Sequence, residues 1–135
     1  LEFRRVLFRS ICVHVILGLP GEEEKEILET ARYLAGQDIQ AVKIHLLYIV
    51  QGTALHRLYS QGRYRCLEQK EYADLAAKFV HNLPREVIIQ RLTGDPHREE
   101  LVAPLWALNK QQTLQMIEQR IGSQNTTVST SELSS

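Results

Sequence analysis

The sequence predicts an α/β fold built on a parallel sheet. Short apolar runs rich in β-branched residues alternate along the chain with segments whose apolar residues recur at helical spacing. The order is strand, helix, strand, helix, strand, and glycine or proline residues separate the segments. This alternation is typical of parallel strands joined by right-handed helical crossovers.

The first predicted strand covers residues 11–17 and ends at Gly18. Pro20 and Gly21 make the next turn, and the glutamates that follow suit the positive end of a helix. We expect that helix to end at Gly36. Its apolar face comprises Ile27, Leu28, Ala31, Leu34 and Ala35.

The remaining elements follow from the same patterns. A second strand is predicted over residues 41–50, before a short helix over 54–60. An amphipathic helix is predicted over 68–83, followed by a third strand over 87–92. A last helix is predicted over 110–121.

The two ends of the chain differ from its middle. Residues 1–10 include a stretch that resembles one reading frame of a common sequencing adapter, and such scars are excluded from fold reasoning. The alternative is a genuine basic lead-in to the first strand. Asn109 is predicted to cap the last helix, with Gln112 placed for a capping box. Residues 122–135 are polar and are expected to form a disordered tail.

Three strands alone would leave both sheet edges unpaired, which is an aggregation hazard. Together with the adapter-like opening, this predicts that the chain is a fragment whose missing strands lie upstream.

Composition excludes several classes of protein. Lys plus Arg equals Asp plus Glu at 16 each, so no bulk charge favours nucleic acid or an anionic membrane. No apolar run approaches the roughly 20 residues that cross a bilayer. The two cysteines, Cys12 and Cys66, have no metal-binding spacing, and we expect no metal ligands here. A cytoplasmic location is expected.

Functional groups of parallel α/β proteins gather at the carboxyl ends of strands. The loop 18–22 could receive an anion at a helix start, although ordinary turn chemistry is the alternative. Strand alternation places His14, Lys43 and His45 on one face of the sheet, opposite an apolar face. A lone histidine is usually a satisfied core residue, whereas three ionisable groups on one face raise the expectation of a site.

Arg91 ends the third predicted strand. Its guanidinium could clamp a carboxylate or phosphate in two-pronged fashion. The alternative is an ion pair with Asp95 that stabilises the following turn.

Four segments, in this order, resemble the later half of YhcC-like radical SAM proteins, an elongator-like and coproporphyrinogen-dehydrogenase-like group. The segments are HVILGLPGE, VKIHLLYIVQGTAL, VIIQRLTGDP and LVAPLWALNK. The similarity runs from about Ile11 to about Ile121. The resemblance implies the C-terminal portion of a partial (β/α)₆ TIM-like barrel over 11–96, with a helical extension over 97–121.

The resemblance also implies cofactors and residues. S-adenosylmethionine (SAM) and a [4Fe–4S] cluster would together generate a radical that abstracts hydrogen from an unknown substrate. The implied SAM-binding residues are Ile16, Gly18, Leu19, Pro20, Gly21, Glu22, His45, Leu46 and Leu47. The candidates for substrate contact are His14, Lys43, Arg91 and Lys110.

The sequence departs from the family at the cluster, which needs three closely spaced cysteines. We therefore expect this fragment to be inactive alone. For the parent enzyme we expect a small-molecule or RNA substrate and an electron donor such as flavodoxin or ferredoxin. Two alternatives stay open. One is a small anion- or nucleotide-binding module that uses loop 18–22 and Arg91. The other is a scaffold piece that docks to a separate chain.

Overall fold

The structure is a computed structural model that describes residues 11–122. The predicted adapter-derived stretch, 1–10, lies outside the described residues, as does the predicted disordered tail apart from Gly122. None of the helices in the described part of the chain combines the length and the apolarity that a membrane span requires.

The predicted strands and helices occur in the predicted order, but the segment 97–121 is not purely helical as expected, because it also contains the strand Leu101–Ala103. The described strands are β1 (Cys12–Leu17), β2 (Ala41–Leu46), β3 (Ile49–Val50), β4 (Ile88–Arg91) and β5 (Leu101–Ala103). The described α-helices are α1 (Glu24–Ala35), α2 (Ala54–Ser60), α3 (Gln69–His81) and α4 (Lys110–Ile121). A 3₁₀ turn, Leu105–Leu108, precedes α4.

Strands β1, β2 and β4 form a parallel sheet with β2 in the centre. The register between β1 and β2 is regular from Cys12 opposite Ala41 to Leu17 opposite Leu46. Between β2 and β4 the register shifts, so that Lys43 lies opposite Arg91. The predicted α/β class with a parallel sheet is confirmed.

The prediction of one continuous strand over 41–50 is wrong. Strand β2 ends at Leu46, and β3 pairs antiparallel with β5 in a separate two-stranded sheet. The amide of Leu47 still donates to Leu17, whereas that of Gln51 donates to Glu100. The chain therefore leaves the first sheet after Leu47 because its next backbone partners lie in a distant segment.

Helix α1 begins with a capping box in which the side chains of Glu23 and Glu26 each accept from the other's backbone. Ile27, Ala31 and Leu34 are buried as predicted. Gly36 ends the helix at a φ of −91°, so the left-handed conformation expected of a terminal glycine is not used.

The core lies between one face of the parallel sheet and helices α1 and α3, and α4 packs on α3. The sheet contributes alternate residues, among them Val42, Ile44 and Leu46. Tyr72 and Phe79 of α3 are the bulkiest fully buried side chains in the described chain. One face of the sheet is therefore buried against the helices.

Asn109 caps α4 as predicted, since its side chain accepts from the amide of Gln112. The reciprocal bond differs from the predicted capping box. The Gln112 side chain accepts from the side-chain amide of Asn109, because the Asn109 backbone N–H already donates to Trp106.

Candidate functional site

The face of the β1–β2–β4 sheet opposite the helices, here called the open face, carries the ionisable strand residues. Exposure identifies it: Ile16 and Ile88 are 43% and 39% exposed, and His14 is also exposed. Strand alternation, together with the register shift between β2 and β4, places these residues on the open face: Cys12, His14, Ile16, Ala41, Lys43, His45, Ile88, Gln90 and Arg91. The predicted grouping of His14, Lys43 and His45 on one face is consistent with this burial pattern.

Two contacts join different strands on the open face. The imidazole rings of His14 and His45 stack with 5.4 Å between centroids and 16° between planes. The thiol of Cys12 donates to Oε1 of Gln90 at 3.3 Å, reaching across the central strand. The sequence offered no sign of the second contact, because it depends on the order of strands in the sheet.

The carboxyl end of this face borders a cavity of about 360 Å³, lined by His14, Ile16, His45, Leu46, Leu47 and Tyr48. Five of these six residues were predicted, four as SAM contacts and His14 as a substrate contact. Tyr48 was missed, because the predicted strand ran through it. Its ring packs against Gly94, where a Cβ would lie 3.0 Å from Tyr48 Cε1. A cavity of this size is within the range of ligand sites.

The loop 18–22 has a structural explanation of its own. Gly18 has a φ of +100°, which favours glycine, and a Cβ there would lie 3.3 Å from Leu67 Cδ1. The hydroxyl of Tyr64 donates to the carbonyl of Gly18 at 2.6 Å. Burial raises the pKa of Tyr64 to about 12. The backbone conformation and the close contact with Leu67 therefore both favour glycine here.

The other residues of this loop do not join the cavity at Ile16. Gly18 and Glu22 line a second cavity of about 320 Å³ between α1 and α3. Leu19, Pro20 and Gly21 are exposed and line neither cavity. The structure thus separates the predicted SAM-binding set into three groups: four residues at the cavity of Ile16, two at the second cavity and three at neither.

The start of α1 is an unfavourable place for an anion. Its capping positions are occupied by the chain's own carboxylates, Glu23 and Glu26. Burial, and then the nearby charge of Glu26, raise the pKa of Glu22. A further anion would meet negative charge here, so the geometry favours the turn interpretation of this loop.

Arg91 and Lys110 lie in different parts of the fold. Arg91 is half-buried opposite Lys43. Within residues 11–122 it forms no ion pair with Asp95, so the predicted alternative is wrong. Lys110 begins α4, which packs against α3, and lines neither of the two cavities.

Comparison with known families decides what kind of domain this is. The radical SAM C-terminal domain family matches residues 39–123, more than half of the chain. The chain belongs to this family. The match covers β2, with Lys43 and His45, and extends through α4.

Three relatives of this radical SAM C-terminal domain are similar over most of its length. The uncharacterized protein YtqA of Bacillus subtilis is 36% identical over 82% of this chain and 34% of its own length. An uncharacterized protein of Methanocaldococcus jannaschii is 45% identical over 75% of this chain and 32% of its own length. YhcC of Escherichia coli is 34% identical over 75% of this chain and 33% of its own length. The chain spans about a third of these relatives.

A radical SAM domain is expected to work with SAM and an iron–sulfur cluster. Among residues 11–122, no three His, Cys, Asp or Glu side chains are grouped so as to hold a metal ion. The cavity at Ile16 fits the other cofactor better. It combines apolar side chains with the Tyr48 ring and two imidazoles, a lining suited to a nucleoside.

Proposed function

We propose that this chain is the C-terminal part of a radical SAM enzyme, in which β1 and β2 are the fifth and sixth strands of a partial (β/α)₆ barrel. The observation that carries the proposal is the family match over residues 39–123. The parallel pairing of β1 with β2 supports it, because such barrels are built from adjacent parallel strands. In that barrel the open face would line the lumen.

Ile16, His45, Leu46 and Leu47 are the residues we propose to hold the nucleoside end of SAM. They adjoin one cavity at the carboxyl ends of two parallel strands, where ligands of such sheets bind. Ile16 is apolar yet 43% exposed, which leaves a surface that a ligand could cover. Together with a [4Fe–4S] cluster, SAM would supply hydrogen-atom abstraction from the substrate. This chain's residues would orient it and exclude water.

The thiolates of the cluster must come from outside this chain. The sequence contains two cysteines, and a cluster site of this type needs three. Cys12 lies in β1, and Cys66 lies in the segment before α3, where burial raises the pKa of its thiol. We therefore propose that the chain by itself carries out no turnover.

The parent enzyme would need an electron donor such as flavodoxin or ferredoxin, and a cytoplasmic location is part of the same proposal. The test is to extend the reading frame upstream in the source DNA and to express the longer product anaerobically. We expect three closely spaced cysteines and, after reconstitution with iron and sulfide, a reduced-cluster electron paramagnetic resonance signal that SAM perturbs. A longer product without such cysteines, or a cluster indifferent to SAM, would refute the proposal.

A further inference from the structure

His14, Lys43 and Arg91 form one row across the three parallel strands, here called the basic rung. His14 lies opposite Lys43 in the β1–β2 register, and Lys43 lies opposite Arg91 in the β2–β4 register. Parallel strands lie about 4.8 Å apart, so the backbone positions of the rung span about 10 Å. The rung thus brings an imidazole, an ammonium and a guanidinium within reach of one small ligand.

The register shift in β4 puts Arg91 in this row. Ile89 and Leu92 are both buried in the core on the helix face. A bulge places the two residues between them, Gln90 and Arg91, opposite Lys43. Gln90 is on the open face, since it accepts from the thiol of Cys12. Regular alternation would have separated Gln90 from Arg91, whereas the bulge lets both share that face.

The two cations of the rung lack internal counter-charges. Strands β1, β2 and β4 contain no Asp or Glu. Within residues 11–122, Lys43 and Arg91 form neither an ion pair nor a side-chain hydrogen bond, although both are half-buried. Three other cations of the described chain do pair with carboxylates: Arg65 with Glu71, Lys78 with Glu24, and Arg120 with Asp74.

Partial burial of like charges without a partner is unfavourable, and an anion relieves it. A phosphate offers enough oxygens to accept from a guanidinium fork and an ammonium together. The rung also adjoins the cavity at Ile16, because His14 belongs to both and stacks on His45. An anion at the rung would therefore lie beside whatever occupies that cavity.

We propose that the substrate carries a phosphate group that binds at the basic rung. The proposal rests on the proposed function, because it takes the open face to be the lumen of the enzyme. The site suits one terminal phosphate better than a polynucleotide backbone. Basic and acidic residues balance over the chain as a whole, so no extended positive surface is expected to follow the rung.

The test is a titration of the purified 135-residue chain with inorganic phosphate, followed by heteronuclear NMR. We expect saturable shifts at the rung residues. Lys43→Gln and Arg91→Gln should each weaken phosphate binding by about tenfold or more. The matched controls are Lys25→Gln and Arg32→Gln on exposed positions of α1, which should leave the affinity unchanged. Lys43→Arg keeps the charge and should retain binding.

Competing probes identify the source of the anion. SAM, which carries its own carboxylate, and an RNA oligonucleotide without a terminal phosphate should fail to displace phosphate from the rung. Displacement by either would overturn the proposal, as would absent binding or equal affinity in the rung and control variants. Thermal unfolding of each variant verifies that it is folded. Phosphate binding does not depend on the cluster, so this proposal can fail while that for the parent enzyme survives.

Discussion

Tyr64 is tied to Gly18 by a hydrogen bond of 2.6 Å from the phenol to the backbone carbonyl. The two residues are 46 positions apart in the chain. The bond joins the segment before α3 to the carboxyl end of β1, next to the proposed SAM cavity. The same segment supplies Leu67, which packs against Gly18. Tyr64 therefore holds the end of a strand whose position matters for the site.

Tyr64→Phe should destabilise the fold by about 1 kcal/mol, because it leaves a partly buried carbonyl without this donor. The measurement is the free energy of unfolding from urea titration. Tyr33→Phe is the matched control, since Tyr33 is 67% exposed, and its effect should be close to zero. Equal stabilities for the two variants would mean that the bond contributes nothing.

Because of the same tyrosine, we expect a loss of folding stability in alkali. Burial raises its pKa from an ordinary value of 10 to about 12 in the folded state, so the folded protein holds this proton more tightly than the unfolded chain. The resulting stabilisation is complete below about pH 10 and is lost as pH rises through about 12. The stability advantage of the wild type over Tyr64→Phe should shrink across that interval. A difference independent of pH would contradict this.

Gly94→Ala should destabilise the protein by about 1–3 kcal/mol, because the added Cβ would lie 3.0 Å from the Tyr48 ring and force it to move. Gly36→Ala is the comparison. Its Cβ would meet only ordinary contacts at an unstrained φ, so we expect a change within about 0.5 kcal/mol. The measurement is the free energy of unfolding of both variants. Similar values would show that the Tyr48 ring can move aside without loss of stability.

The ion pair of Glu71 leads us to expect a loss of folding stability in acid. Hydrogen bonds from Arg65, and then from the backbone of Glu68, lower the pKa of its carboxyl. A carboxyl whose pKa is lowered by folding stabilises the folded protein at pH values above its ordinary pKa of 4.5. This stabilisation is lost as the pH falls below that value. Because both partners are well exposed, Glu71→Gln should cost less than about 1 kcal/mol at neutral pH.

The check is the free energy of unfolding of wild type and Glu71→Gln between pH 3 and pH 7, with Glu29→Gln as an exposed control on α1. We expect the two proteins to converge towards the acid end. If the difference in free energy of unfolding did not change with pH, the effect would come from hydrogen bonding that does not depend on the charge of Glu71.

The order of elements in the sheet and helices could be predicted from the sequence. Period-two alternation put Lys43 and His45 opposite Val42 and Ile44, because a regular strand leaves no other arrangement. The limits of α2 and α4 also agree with the prediction, and Asn109 was predicted to cap α4 because its side chain suits that position.

The departures depend on contacts between distant segments. Strand β3 has two residues, Ile49 and Val50, too few to carry a period, and its partner is β5. The bulge at Gln90 is likewise invisible in the sequence, although it decides what lies opposite Lys43. The residues of loop 18–22 left an anion site and turn chemistry both open, since glycines serve packing and ligand approach equally well.

The most direct measurement is an NMR titration of the chain with SAM, comparing Ile16→Asp with Ile88→Asp. Both isoleucines are similarly exposed on the open face, but Ile16 borders the cavity and Ile88 lies at the other end of the sheet. We expect SAM to shift the resonances of residues 45–48, with at least about tenfold weaker binding in Ile16→Asp. Ile88→Asp should bind like the wild type. No shifts at these residues, or equal binding by both variants, would contradict a SAM site at the ends of β1 and β2.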